Sequence, residues 1–318
     1  MPTMRAIQIE KPTRAEELQF SNVPVPQVKP GWVLVKIKAF GLNHSEQILR
    51  LNEIQADYIQ KPIIPGIECV GEIENPSDSD FSKGQKVAAL MGGMGRSFNG
   101  SYAEYALLPV HHVFAVNSDL SWGELAAVPE TYFTAWGSLF ECLNLQKGEK
   151  LLIRGGTCAL GYVAIQIAKA FGCTVYATTH REEKLSLISN ADRTILDDGE
   201  LAKLNLSVDK VLELVGPKTL YDSLRCLKKG GIVCNTGILG NVFTVKNFDP
   251  IKYIPNGVYL TGFFSNSPTA KIMNDIFDFL DKNNLRPCLG KVYSFENIKN
   301  AIDDMDNKKV NGKIVVKL

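Results

Sequence analysis

Val33, Val35 and Ile37 alternate with Leu34, Lys36 and Lys38. This period of two predicts a strand with one face in a core. Pro30-Gly31 and Pro65-Gly66 mark turns, and short patterns of this kind run from residue 4 to about residue 117, so the first third reads as mainly β. After about Ser121 the period changes. Leu151-Leu152-Ile153 leads into a glycine-rich turn and a helix over residues 162–171. A strand over 174–178 then precedes a charged helix starting near Arg181, and strands over 211–215 and 232–235 follow with helices between them. That alternation predicts a parallel, doubly wound sheet. In the tail, Ser267 as N-cap and Pro268 at the first helical position predict a helix with Ile272, Ile276 and Leu280 on one face, followed by a strand over 313–318. Two domains are expected: residues 1–121 with 266–318, and residues 122–265.

Composition agrees with two buried cores. The 318 residues are 45% hydrophobic and 22% charged, the proportions of a soluble globular protein. A formal net charge of +1 provides no general field for nucleic acid or an anionic membrane. No apolar run approaches the ~20 residues of a membrane span, and the chain begins with an alternating strand pattern in place of a signal peptide, so a cytoplasmic protein is expected. The seven cysteines are scattered and form no C-x-x-C pair, which predicts reduced, mostly buried thiols.

The strongest local signal is Gly155-Gly156-Thr157-Cys158-Ala159-Leu160-Gly161, between an apolar strand and a helix. A dinucleotide pyrophosphate needs such a tight turn, small residues for close approach, and N–H groups at a helix N-terminus. Cys158 stands where a middle glycine is expected, and an ordinary glycine-rich turn is the alternative. About twenty residues on, an NAD site places an Asp or Glu to accept from the ribose 2′-hydroxyl. Here the strand ends Thr178-Thr179-His180-Arg181. Thr179, Arg181 and Lys184 are donors suited to a 2′-phosphate, which favours NADPH; the alternative is a solvated face diluted by Glu182 and Glu183.

Val25-Pro26, Pro30-Gly31-Trp32, Gly41-Leu42-Asn43, Pro65-Gly66-Ile67-Glu68, Gly100-Ser101-Tyr102, Thr134-Ala135-Trp136 and Gly312-Lys313-Ile314 fall in the order and spacing of one family. Over its whole length the chain resembles the medium-chain dehydrogenase/reductase superfamily, most closely its zinc-independent quinone oxidoreductase branch. The resemblance implies a GroES-like β-rich domain, completed by the C-terminal segment, beside a Rossmann domain, with the active site in the cleft between them. It also implies a homodimer paired through Rossmann edge strands, here around residues 258–263.

Zinc alcohol dehydrogenases of that superfamily hold zinc with a Cys, a His after Gly, and a further Cys or Asp. The matching positions here are Asn43, Ile67 and Glu130. Isoleucine cannot ligate, and the four-cysteine structural zinc loop is missing, since no Cys lies between Cys69 and Cys142. Without that Lewis acid, reduction of a quinone, enone or similar conjugated carbonyl is favoured over alcohol oxidation. An enoyl-thioester reductase and a non-catalytic NADPH-binding protein are the rival readings.

The resemblance puts Asn43 and Thr134 beside the nicotinamide, with a turn-stabilising Asn and a helix hydroxyl as the plain alternatives. It gives Gly237 and Ile238 backbone contact with the carboxamide and places Lys313 near the cofactor phosphates. Tyr58 stands roughly where some enoyl reductases of the superfamily carry a proton-donating Tyr and is a candidate donor; His44, next to Asn43, is another, with a satisfied surface or interface His as the alternative. His111-His112 reads as part of a strand with the two rings on opposite faces. Residues 91–96, Met91-Gly92-Gly93-Met94-Gly95-Arg96, read as a flexible Met-rich lid or a plain surface loop. Asp197, where many NADPH quinone reductases carry a Tyr, would repel a 2′-phosphate if it pointed inward.

Overall fold

A computed structural model describes residues 2–188 and 190–318. Its contacts divide the chain into two units: one runs to Phe133 and resumes at Asn266–Leu318, and the other is Thr134–Ser265. The first takes residues 122–133, which the change of period assigns to the second.

The first unit is built on a seven-stranded sheet centred on Trp32–Gly41. One edge of that strand pairs antiparallel with Glu68–Asn75. The other edge is shared, with Tyr105–Pro109 along its first half and Lys313–Lys317 along its last three residues. The alternation read at Val33, Val35 and Ile37 is the cause, since all three are buried in one core with Cys69, Ile73, Val87 and Val316. The C-terminal strand Lys313–Lys317 is thereby sewn beside Gly41, Phe40 and Ala39.

The second unit is a six-stranded, wholly parallel sheet in the order Arg193–Leu196, Thr174–Thr179, Lys150–Arg154, Val208–Glu213, Leu227–Asn235, Tyr259–Gly262. This is the doubly wound Rossmann arrangement, and the chain reverses direction of travel between Lys150–Arg154 and Val208–Glu213. The fold is therefore a β-rich unit plus a parallel α/β unit.

Several local expectations need correction. The helix after the glycine-rich turn begins at Ala159, not Tyr162; the Cys158 sulfur accepts from the Gly161 N–H at 3.2 Å, so the first turn is already helical. Beyond Arg181 the chain forms a 3-10 segment, Glu182–Ile188, because the Lys184 N–H reaches the Arg181 carbonyl. The tail helix is Ala270–Lys282, capped by Thr269 and not by Ser267; Pro268 is buried ahead of it. Met273, Ile276 and Leu280 form its buried face, with Ile272 at the margin. His111 and His112 lie in a 3-10 turn, Val110–His112, because the strand stops at Pro109. Their rings sit together, centroids 4.4 Å apart. Residues 91–96 are tied down: Met94 is buried, and Arg96 grips both carboxylate oxygens of Glu53 and donates to the Ser45 carbonyl.

Candidate active site

The carboxyl ends of Lys150–Arg154 and Val208–Glu213 flank the point where the strand order reverses, the place where doubly wound sheets bind ligands. The turn from Gly155 opens there and runs into the 13-residue helix Ala159–Phe171. Its N-terminal N–H groups, those of Ala159, Leu160 and Gly161 among them, carry the positive end of the helix dipole. Gly161 must be glycine, since a Cβ would stand 2.7 Å from the carbonyl of Gly156. The Gly156 N–H donates to the Thr178 carbonyl at 2.7 Å, and Thr157 Oγ1 lies 3.4 Å from Thr179 Oγ1, so the turn and the end of the next strand form one edge. Burial pushes the Cys158 thiol up to about 11 against the opposing pull of the Gly161 and Leu160 N–H groups. These features fit a nicotinamide dinucleotide: a tight turn, small residues and a helix N-terminus at the switch point.

At the end of the strand Thr174–Thr179, Thr178 and Thr179 are buried, Arg181 and Lys184 are half exposed, and His180 is exposed. The Arg181 N–H bonds Thr179 Oγ1 at 3.3 Å. Asp197 follows on the neighbouring strand, and all of its acceptors are engaged. Arg154 holds both of its oxygens, at 2.7 and 2.8 Å. Thr178 donates to one at 3.2 Å and the Gly199 N–H to the other at 2.9 Å. Arg154 is fully buried and also bonds Asp222 at 2.7 Å and Ser223 at 3.1 Å. Sequence reading missed it; the available signal was a cation in the apolar run Leu151-Leu152-Ile153, which demands buried carboxylates. Below it Glu213 accepts from the N–H groups of Val215 and Gly216 and from Ser223, and burial raises its pKa. Gly237 is wedged against Leu214 at the ends of two strands, and its N–H bonds the Glu213 carbonyl at 3.1 Å; Ile238 follows half exposed. Thr134 is buried, and its carbonyl accepts from Ser138 Oγ at 2.7 Å.

In the β-rich unit, Asn43 caps the helix His44–Leu51 and meets Lys313. The Lys313 Nζ donates to Asn43 Oδ1 at 2.6 Å and pairs with Glu68 Oε1 at 2.6 Å. Asn43 Nδ2 donates to that same Glu68 oxygen at 2.8 Å. A lysine only donates and a carboxylate only accepts, so the amide orientation is fixed by its neighbours. Glu68 Oε2 takes the Glu130 N–H at 2.8 Å. One turn away the buried Glu46 accepts from the N–H groups of Asn43 and Ile67 and from the Tyr102 hydroxyl; burial raises its pKa, and these donors oppose the rise. Gly41 leaves the room, because a Cβ there would lie 2.3 Å from Lys313 Cε. Tyr58 stands apart from these bonds: it is 68% exposed, and its hydroxyl donates to Glu53 at 2.7 Å. Burial lowers the pKa of the His44 imidazole.

Residues 29–118 match the family model described as an alcohol dehydrogenase GroES-like domain, and residues 190–316 match the one described as a zinc-binding dehydrogenase. The zinc-type alcohol dehydrogenase-like protein of Schizosaccharomyces pombe is 28% identical over 335 residues, covering 95% of this chain and 96% of that protein. The quinone oxidoreductase of Sus scrofa is 28% identical over 335 residues, covering 99% and 98%. The chain belongs to the medium-chain dehydrogenase/reductase superfamily. A mycobacterial structure solved as a complex with NADPH has the same fold, with a TM-score of 0.86 at 24% identity over 99% of this chain and 100% of that one.

Some members of the medium-chain dehydrogenase/reductase superfamily use a catalytic zinc, and this chain's residues do not fit one. Ile67 is buried and has no donor. The Asn43 amide is bonded to Lys313 and Glu68. Among the described residues, no three His, Cys, Asp or Glu side chains gather so as to hold a metal ion.

Proposed function

We propose that this superfamily member is an NADPH-dependent, zinc-independent reductase that passes hydride to a quinone, enone or related conjugated carbonyl. The observation that carries the reading is the ribose edge. Hydroxyls and cations end the strand Thr174–Thr179, and the carboxylate beside them, Asp197, has both oxygens engaged by Arg154, Thr178 and Gly199. Asp197 therefore has no free lone pair turned toward a ribose diol, and a 2′-phosphate there meets a carboxylate whose oxygens are already held by donors. The quinone oxidoreductase relatives and the NADPH-bound structural neighbour support the same reading.

When bound, the dinucleotide supplies the hydride. The chain's part is to bind and orient. Gly156, Thr157, Cys158, Ala159, Leu160 and Gly161 form the turn and helix N-terminus that take the pyrophosphate, with Gly156 and Gly161 shaping the turn. Thr179, Arg181 and Lys184 take the 2′-phosphate, and Gly237 and Ile238 take the carboxamide. The resemblance implies Asn43 and Thr134 as nicotinamide contacts, and Lys313 and Glu68 hold the Asn43 amide in one orientation. An electron-poor double bond accepts hydride without a metal to polarise it, so the Ile67 position costs this chemistry nothing.

A homodimer paired along Tyr259–Gly262, which lies at the edge of the parallel sheet, and a cytoplasmic setting complete the reading; no helix among the described residues is long and apolar enough to cross a membrane. Steady-state consumption of NADPH and NADH across quinones, enones and enoyl thioesters tests it. Turnover of quinones or enones with NADPH preferred is expected. Turnover confined to enoyl thioesters would change the substrate class, and binding without turnover on any acceptor would remove the enzyme. Elemental analysis belongs beside it: chelator-treated protein should keep its activity without zinc.

A further inference from the structure

The π-helical segment Gly137–Cys142 and the end of the strand Leu227–Asn235 face each other across two rungs. Ser138 and Cys142 are about one turn apart on the helix, and Cys234 and Thr236 are two apart on the extended chain, so each pair shares a face. The first rung is Ser138 Oγ and Thr236 Oγ1, 2.9 Å apart. Cys234 Sγ lies 3.3 Å from that same Thr236 oxygen. Cys142 Sγ donates to the Gly262 carbonyl at 3.4 Å, and Gly262 is the register partner of Asn235, the residue after Cys234. The second rung is therefore Cys142 against Cys234, two neighbouring thiols close enough for the charge of one to bear on the other. Both thiols are free, Cys234 buried and Cys142 half exposed.

We propose that Cys142 and Cys234 form an oxidisable dithiol, a modification site in which hydrogen peroxide oxidises Cys142 and Cys234 then closes a disulfide with it. The Cys142 thiolate attacks one peroxide oxygen, the O–O bond breaks, and a sulfenic acid forms with loss of water. The Cys234 sulfur then displaces hydroxide from the sulfenic sulfur, the S–S bond forms, and the hydroxide leaves as a second water with the thiol proton. Two electrons pass from the thiol pair to one peroxide, so the sum is two thiols and hydrogen peroxide to one disulfide and two waters. Exposure sets the order, because the oxidant reaches the half-exposed Cys142 first. Burial pushes the Cys234 thiol up to about 12, which keeps it from reacting on its own. This chemistry needs neither cofactor nor substrate and stands apart from the function proposed above.

The test treats the reduced, full-length protein with hydrogen peroxide, then alkylates under denaturing conditions and maps the peptides by mass. The expected result is loss of two of the seven alkylatable thiols, a protein about 2 Da lighter before alkylation, linked peptides carrying Cys142 and Cys234, and reversal by dithiothreitol. Cys142→Ser, which keeps a donor for the Gly262 carbonyl, should abolish the link and leave Cys234 alkylatable. Cys234→Ser should leave a sulfenic acid on Cys142 that dimedone traps. A link between other cysteines, oxidation of Cys142 to the sulfinic acid in the unsubstituted protein, or seven unchanged thiols would each overturn the assignment.

Discussion

Lys313 and Glu68 form an ion pair inside the β-rich unit, Nζ 2.6 Å from Oε1, with side chains 2% and 0% exposed. Such a pair is a weak source of net stability when compared with apolar packing, but removing one partner leaves the other charge buried and uncompensated. Lys313→Met should therefore cost about 3–5 kcal/mol, read from the midpoint of urea denaturation. Glu68→Gln in the same chain should recover part of that loss, since the buried carboxylate goes with it. Strictly additive losses in the four-protein cycle would show that the two groups do not depend on each other.

On the proposed reading, cofactor choice turns on Arg181. Arg181 is half exposed, and both oxygens of the nearby Asp197 are held by Arg154. A charge-assisted bond to phosphate contributes on the order of 1.5–3 kcal/mol before solvent weakens it. Arg181→Ala is expected to weaken NADPH binding roughly tenfold or more and leave NADH nearly unchanged, measured by fluorescence titration with both cofactors. Equal loss for the two would make Arg181 a structural residue.

The two units differ in what periodicity reveals. The parallel sheet and its glycine-rich turn were legible because each strand and helix is encoded by a local pattern: Leu151-Leu152-Ile153, then Gly155 to Gly161, then an apolar helix. The charged networks were not. Arg154 meets Asp197 and Asp222 at separations of 43 and 68 residues, and Lys313 meets Asn43 at 270; those distances close only when strand order is known. Lys313 read alone is an ordinary strand lysine, and only the missing Cβ of Gly41 lets it enter. The His111-His112 expectation failed because the strand ends at Pro109, before either histidine.

Cys158 gives a pH-dependent signature. Its thiol is raised to about 11 by burial, from an ordinary value of 9.0. Only the thiolate reacts, so below the raised pKa the reactive fraction falls tenfold for each unit of decreasing pH. Alkylation of the Cys158 peptide by iodoacetamide, followed by mass spectrometry, should rise about tenfold per unit between roughly pH 7.5 and 9.5 with no plateau. A plateau below pH 9 would mean that the helix N-terminus activates the sulfur more than burial suppresses it.

Volume at the turn supplies the last test. Ala159 is the first residue of the helix and is half exposed, next to Cys158. If the pyrophosphate rests on this N-terminus, a larger side chain stands where the phosphates must approach the backbone N–H groups. Ala159→Leu is expected to abolish NADPH binding, at least a hundredfold by the charge-assisted bonds it denies. The fold should persist, because leucine is a good helix former and the position is not in the core. NADPH should also slow alkylation of Cys158 in the unsubstituted protein and have no such effect in the variant. Fluorescence titration with circular dichroism as the folding control decides it: near-normal affinity in a folded Ala159→Leu protein would place the dinucleotide somewhere other than this turn.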